Sequence, residues 1–93
     1  YRIPPMSELH EHRLKRLKMR SMRRGIKEMD LILSAYADDT LHTMDDAALT
    51  LYDDMLNEND QDLYQWVTGQ VPAPERFAGL IGRISVQFQG SAA

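Results

Sequence analysis

Apolar residues recur along this chain with a helical period, and nowhere with the alternation of a half-buried strand. Leu9, Leu14, Leu17 and Met22 give a stripe for a first helix reaching about Met22. Ser7 is placed to cap it, with Glu8 and Glu11 in the favourable first turns. Ile26, Met29, Ile32, Leu33 and Tyr36 predict a second helix over about Ile26 to Ala37, ended by the polar break Asp38-Asp39-Thr40. Ala48, Leu51, Tyr52, Met55 and Leu56 line one face of a third, about Met44 to Asn57, started by Thr43 or Asp45. Asp60 can cap a short fourth helix, about Gln61 to Thr68, carrying Leu63, Tyr64, Trp66 and Val67, with Gly69 ending it. The stiff turn Val71-Pro72-Ala73-Pro74 leads into a fifth, about Glu75 to Phe88, built on Phe77, Leu80, Ile81 and Ile84. The expected fold is all-α, a small five-helix bundle with short connections. Residues 7–88 form its single domain, after a disordered lead at 1–6 that contains Pro4-Pro5 and before a frayed tail at 89–93.

Ninety-three residues make one domain with one modest core. That shifts the expectation from an enzyme with a deep cavity toward a binding module. With no cysteine there is no disulfide framework, zinc ribbon or thiol nucleophile. No apolar run approaches the ~20 residues of a membrane span, so no membrane insertion is expected. No secretory signal is visible, and the chain opens on Tyr1 rather than Met, which leaves room for an upstream segment.

Charge changes the picture more than composition does. Seven Lys/Arg and no acid lie between Arg13 and Arg24, whereas Glu28 to Glu75 holds no Lys or Arg. Gly25 sits at the seam between two helical segments, just past a helix end, where a left-handed backbone is often required. Arg24 and Glu28, four residues apart across that glycine, offer a donor fork and an acceptor at a corner that a partner can approach closely. The same two residues also fit an ordinary helix end with a solvated charge pair worth ~0.5 kcal/mol.

Other chemistry is thin. His10 and His12, at i and i+2, face apart and make no two-histidine metal site; His42 is isolated. No nucleophile lies beside an evident base, and a single corner glycine is a turn rather than a phosphate cradle. No catalytic residue and no metal ligand is assigned. The pairs Asp38-Asp39, Asp45-Asp46 and Asp53-Asp54 lack cation-loop spacing and read as helix starts and solvated faces. The alternative from another class is a small nucleic-acid-binding protein acting through the basic helix 13–24, a glycine turn and a second helix. Against it, that second helix carries Glu28 and Asp30 and no side chain suited to base edges, and the acidic remainder repels phosphate; no nucleic acid partner is expected.

Arg24-Gly25-Ile26-Lys27-Glu28 resembles the RGxxE motif of the succinate dehydrogenase assembly factor 2 family, the flavinylation factors. Leu51-Tyr52-Asp53 with Leu56, Asp60-Gln61-Asp62-Leu63 with Trp66, and Pro72-Ala73-Pro74-Glu75 with Phe77 resemble that family's later segments, in order. The resemblance spans about Leu14 to Ile84 and implies a five-helix assembly chaperone, not an enzyme. By that resemblance the protein binds the flavoprotein subunit of succinate dehydrogenase, or of fumarate reductase as in bacterial members, and promotes covalent attachment of FAD to it. FAD is then handled by the client and not held permanently here. Arg24, Gly25 and Glu28, with Arg23 beside them, become the partner-binding residues, whereas Tyr52, Leu56, Leu63 and Trp66 read as core from their helical spacing. A monomer in the bacterial cytoplasm is expected, with the mitochondrial matrix as the alternative compartment. An antitoxin-like regulatory role, once proposed for bacterial relatives, is the remaining reading.

Overall fold

The computed structural model describes residues 9–92. The expected lead at 1–6 and the Ser7 cap lie outside the described residues. Five α-helices are present: α1 (His10–Arg20), α2 (Lys27–Thr40), α3 (Asp46–Met55), α4 (Asp60–Val67) and α5 (Glu75–Ala92). No strand occurs among the described residues. α2 lies at the centre, packed against α1, α4 and α5, while α3 and α4 close on α5.

The boundaries differ from the sequence expectation in informative ways. α2 continues through Asp38, Asp39 and Thr40, and the chain breaks instead in a 3-10 turn, Leu41–Thr43, with Leu41 fully buried. The acids tolerate the helix because each has a partner: Lys18 Nζ lies 3.6 Å from Asp38, and Gln87 donates to Asp39 at 3.2 Å. Asp45 caps α3 by accepting from the Ala48 amide at 2.8 Å, one of the two caps anticipated. Gly69, at φ +82°, ends α4 as expected. α5 runs to Ala92, past the expected end at Phe88 and through most of the stretch expected to fray. No proline follows Phe88, and Gly90 does not adopt the left-handed conformation that would stop it.

The core joins Leu17 of α1, five residues of α2, Leu49, Tyr52, Met55 and Leu56, Leu63 and Val67, and Phe77, Leu80, Ile81 and Ile84. Trp66 and Tyr64 pack half-buried at its margin. Leu49 is buried whereas Ala48 and Leu51 are half-buried, because the face of α3 turned to the core runs through Leu49, Tyr52, Met55 and Leu56. Leu9 and Met22, counted into the first apolar stripe, are exposed, since α1 ends at Arg20 and the chain turns away before Met22.

One buried polar link crosses this core. Ser21 Oγ donates to the Leu17 carbonyl at 2.8 Å, and Tyr52 Oη lies 2.6 Å from Ser21 Oγ. A hydroxyl has one proton to give, so Tyr52 is the donor in the second bond. Burial pushes the Tyr52 phenol up to about 12. The link fixes the end of α1, and hence where the corner begins, onto the middle of α3.

Candidate functional site

The corner Arg23–Glu28 is held by two carboxylates. Asp30 Oδ2 accepts from the Arg23 amide at 2.9 Å, and Asp60 Oδ2 accepts from the Gly25 amide at 2.5 Å. Between those anchors the Arg24 side chain turns inward. Its Nε donates to Asp60 Oδ1 at 2.8 Å, one terminal nitrogen donates to the Arg20 carbonyl at 2.9 Å, and the other to the Leu56 carbonyl at 3.1 Å. Arg20 is the last residue of α1, Leu56 the C-cap of α3, and Asp60 the first residue of α4. One guanidinium therefore satisfies carbonyls at two helix C-termini, where cations are favoured. It also pairs with a carboxylate at a helix N-terminus, where anions are favoured.

This arrangement revises the role expected of Arg24. Its side chain is 11% exposed, and its fork is directed into the fold rather than offered outward. It makes no pair with Glu28; its acid is Asp60. Asp60 itself was assigned to capping, but Asn59 caps α4 by accepting from the Gln61 amide at 2.8 Å, which frees the Asp60 carboxylate to face the corner. The adjacent pair Asn59-Asp60 was the available signal, since only one of two neighbouring cap-competent residues can take the cap.

The left-handed residue of the corner is Arg23, at φ 55°, not Gly25. Gly25 suits the corner for a different reason. A Cβ there would stand 3.0 Å from Asp60 Oδ2, crowding the carboxylate that grips the backbone. Arg23 and Glu28 are exposed, and neither side chain has a hydrogen bond or ion pair among the described residues. Met19 and Met22, 65% and 48% exposed, flank Arg23, and Leu31, 63% exposed, stands one turn beyond Glu28. The outward surface is thus Arg23, the open backbone of Gly25, and Glu28, with apolar shoulders on both sides.

The other arginines of α1 are engaged with α3. Arg16 makes a two-pronged ion pair with Asp53, at 3.2 and 3.0 Å, and Arg20 pairs with the same carboxylate and with Asn57. Arg13 donates to Thr50 at 2.5 Å, and Asp46 lies 3.9 Å from it. Burial alone would raise the Asp53 carboxyl, but Arg16, through its hydrogen bonds and charge, and Arg20 outweigh that and hold it below the usual carboxylate range. These arginines stitch α1 to α3, so the acidic pairs expected to be solvated are largely ion-paired. Asp53 meets α1, and Asp54 meets Arg76 of α5 at 2.7 Å. These pairings offset part of the positive charge of α1, while Lys15 and Lys18 stay exposed.

A sequence profile for the family described as the flavinator of succinate dehydrogenase matches residues 15–87. The chain belongs to this family. It is 39% identical over 92 residues to the mitochondrial succinate dehydrogenase assembly factor 2 of Danio rerio, covering 92% of this chain and 58% of that protein. The proteins of the same name from Schizosaccharomyces pombe and Candida glabrata are 38% and 41% identical over 76 and 78 residues. Those matches cover 82% and 81% of this chain, and 55% and 51% of the relatives. The chain thus spans between half and three fifths of these relatives' length. The family match takes in all of the corner and its anchors, from Arg16 through Asp60, so the RGxxE resemblance rests on a whole-domain relationship and not on five residues. The relatives are named as mitochondrial, the compartment that the sequence reading placed second. No helix among the described residues is long and apolar enough to cross a membrane.

Proposed function

We propose that this protein is an assembly chaperone that binds the flavoprotein subunit of succinate dehydrogenase, or a fumarate reductase flavoprotein, and promotes covalent attachment of FAD to it. The observation that carries this reading is the division of labour at the corner. Arg24 and Asp60 lock the backbone from within, and the side chains of Arg23 and Glu28 are presented outward on either side of Gly25 with no hydrogen bond or ion pair among the described residues. Arg23 keeps a left-handed backbone that costs about 1 kcal/mol for a residue other than glycine, and strain of that kind collects at functional sites.

The mechanism needs no reacting group on this chain. Covalent flavinylation requires the client's histidine and the flavin to be held in a reactive pose, and positioning alone removes several kcal/mol from such a barrier. A partner that binds the competent arrangement of the client's domains more tightly than the others shifts the population toward it. Arg23 and Glu28 can make charge-assisted bonds to the client across the corner, and Gly25 lets the two backbones approach. Arg24 is then a positioning residue rather than a contact. FAD is proposed to be handled by the client flavoprotein rather than held permanently on this chain. The protein is proposed to act as a monomer, and the naming of its relatives favours the mitochondrial compartment over the bacterial cytoplasm.

A flavinylation assay tests the reading. The apo flavoprotein subunit is mixed with FAD, with and without this protein, and covalent flavin is read by fluorescence on a denaturing gel. Stimulation by the wild type, lost in Gly25→Arg and Glu28→Ala with helical content intact, is the expected outcome. Absence of both stimulation and a complex with the client refutes it.

A further inference from the structure

Beside the corner, α2 and α5 enclose an apolar groove of about 230 Å³. Glu28, Leu31, Ile32 and Ala35 form one wall, a stripe at i, i+3, i+4 and i+7 of α2, and Ile84 and Phe88 of α5 form part of the other. Such a stripe is ordinarily covered by another element of the same fold. Here Leu31 is left 63% exposed and Ala35 is exposed as well. Of the groove's lining residues the one acid or base is Glu28, beside the Tyr36 hydroxyl and the Gln87 amide, and Glu28 has no hydrogen bond or ion pair among the described residues. Glu28 also belongs to the corner, so the groove and the proposed contact surface form one continuous face.

We propose that this groove is a second docking element for the same client, and that it receives a segment of the flavoprotein carrying an apolar side chain next to a lysine or arginine. The inference rests on the reading of the corner as the client-binding surface and extends it. The apolar side chain covers Leu31 and fills the space between Leu31, Ala35 and Phe88. The neighbouring cation meets Glu28 at the mouth. Two features decide this occupant. The walls are mostly apolar and carry no cation to meet an acidic or phosphorylated ligand; their donors are the Tyr36 hydroxyl and the Gln87 amide, which is already bonded to Asp39, and the carboxylate of Glu28 has no ion pair among the described residues. Glu28 thereby has a directional role, since it fixes which way the client segment runs along the groove.

The test uses the full chain and the apo flavoprotein subunit of succinate dehydrogenase. Leu31→Lys changes an exposed position between residues of similar helix propensity, so its fold is expected to hold, with circular dichroism as the check. Its affinity for the client should fall about ten- to thirty-fold, the effect of losing one largely buried leucine contact. Flavinylation should fall with it at low concentration and recover at saturation. Glu28→Gln should weaken binding and flatten its salt dependence, as loss of an ion pair requires. A photo-reactive benzoylphenylalanine at Ala35 should cross-link to a client peptide containing a lysine or arginine beside an apolar residue. Wild-type affinity in Leu31→Lys, with binding lost in Gly25→Arg, overturns the groove proposal and leaves the corner reading standing. Self-association of this protein that Leu31→Lys abolishes also overturns it, because the groove then belongs to a second copy. Failure of the wild type to bind the flavoprotein removes the corner reading and the groove with it.

Discussion

Replacing Asp60 with alanine removes the single carboxylate that holds both Arg24 and the Gly25 amide. The side chains of Arg24 and Asp60 are 11% and 17% exposed, so water does not readily substitute for the lost oxygens. Truncating one partner of a fully buried pair costs about 3–5 kcal/mol. Here Arg24 retains its bonds to the Arg20 and Leu56 carbonyls, and the Gly25 amide lies where the chain is exposed, so the cost should be lower. Two charge-assisted hydrogen bonds at ~1.5 kcal/mol each set the scale at about 2–3 kcal/mol. For a domain of this size that lowers Tm by roughly 10–20 °C. Urea unfolding followed by circular dichroism measures it, with a midpoint shift at unchanged slope as the expected form. A double-mutant cycle with Arg24→Ala should give a coupling of at least ~1 kcal/mol, because the two residues act through the same bond. Asp60→Asn, which keeps one acceptor and loses the charge, should fall between wild type and alanine. If Asp60→Ala unfolds at the wild-type midpoint, or adds independently to Arg24→Ala, the clamp does not hold the corner and the inward role of Arg24 is wrong.

Two further outcomes follow from the same geometry. Arg23→Gly relieves the left-handed backbone and should leave stability unchanged or raise it by up to ~1 kcal/mol, while weakening client binding; a clear loss of stability in the same urea titration would show that Arg23 is needed for folding rather than contact. Asp53, whose carboxyl is held low in the folded state, contributes stability that is present above its unfolded value near ~3.9 and is lost as pH falls through the lower folded value. Stability measured between pH 5 and 2 should therefore drop less steeply in Asp53→Asn than in wild type, and parallel profiles would refute the assignment.

Much of the fold is legible in the chain because it depends on local periodicity. The stripe Met29, Ile32, Leu33, Tyr36 is buried as its spacing requires, and so is Phe77, Leu80, Ile81, Ile84. Helix ends are less legible, because capping is a competition between neighbours. Asn59 takes the cap that Asp60 could have taken, and Asp38 and Asp39 remain helical because Lys18 and Gln87 lie opposite them. The corner was located by its charge reversal and its glycine, but the assignment of roles within it was not legible. Arg24 lies 36 residues from Asp60 and 32 from Leu56 in sequence, and no local rule brings them together.

The sequence by itself determined that five amphipathic helices would form, that they would share one modest core, and that the basic and acidic halves would meet at Gly25. Those properties follow from spacing and composition, which act within a few residues. Only the tertiary structure decided which charges face inward. Packing α1 beside α3, and the start of α4 beside the corner, commits Arg16, Arg20 and Arg24 to Asp53 and Asp60. Arg23 and Glu28 are left outward. The physical reason is that a charge can leave water at tolerable cost only where a partner meets it, and which partners meet is fixed by how the helices pack.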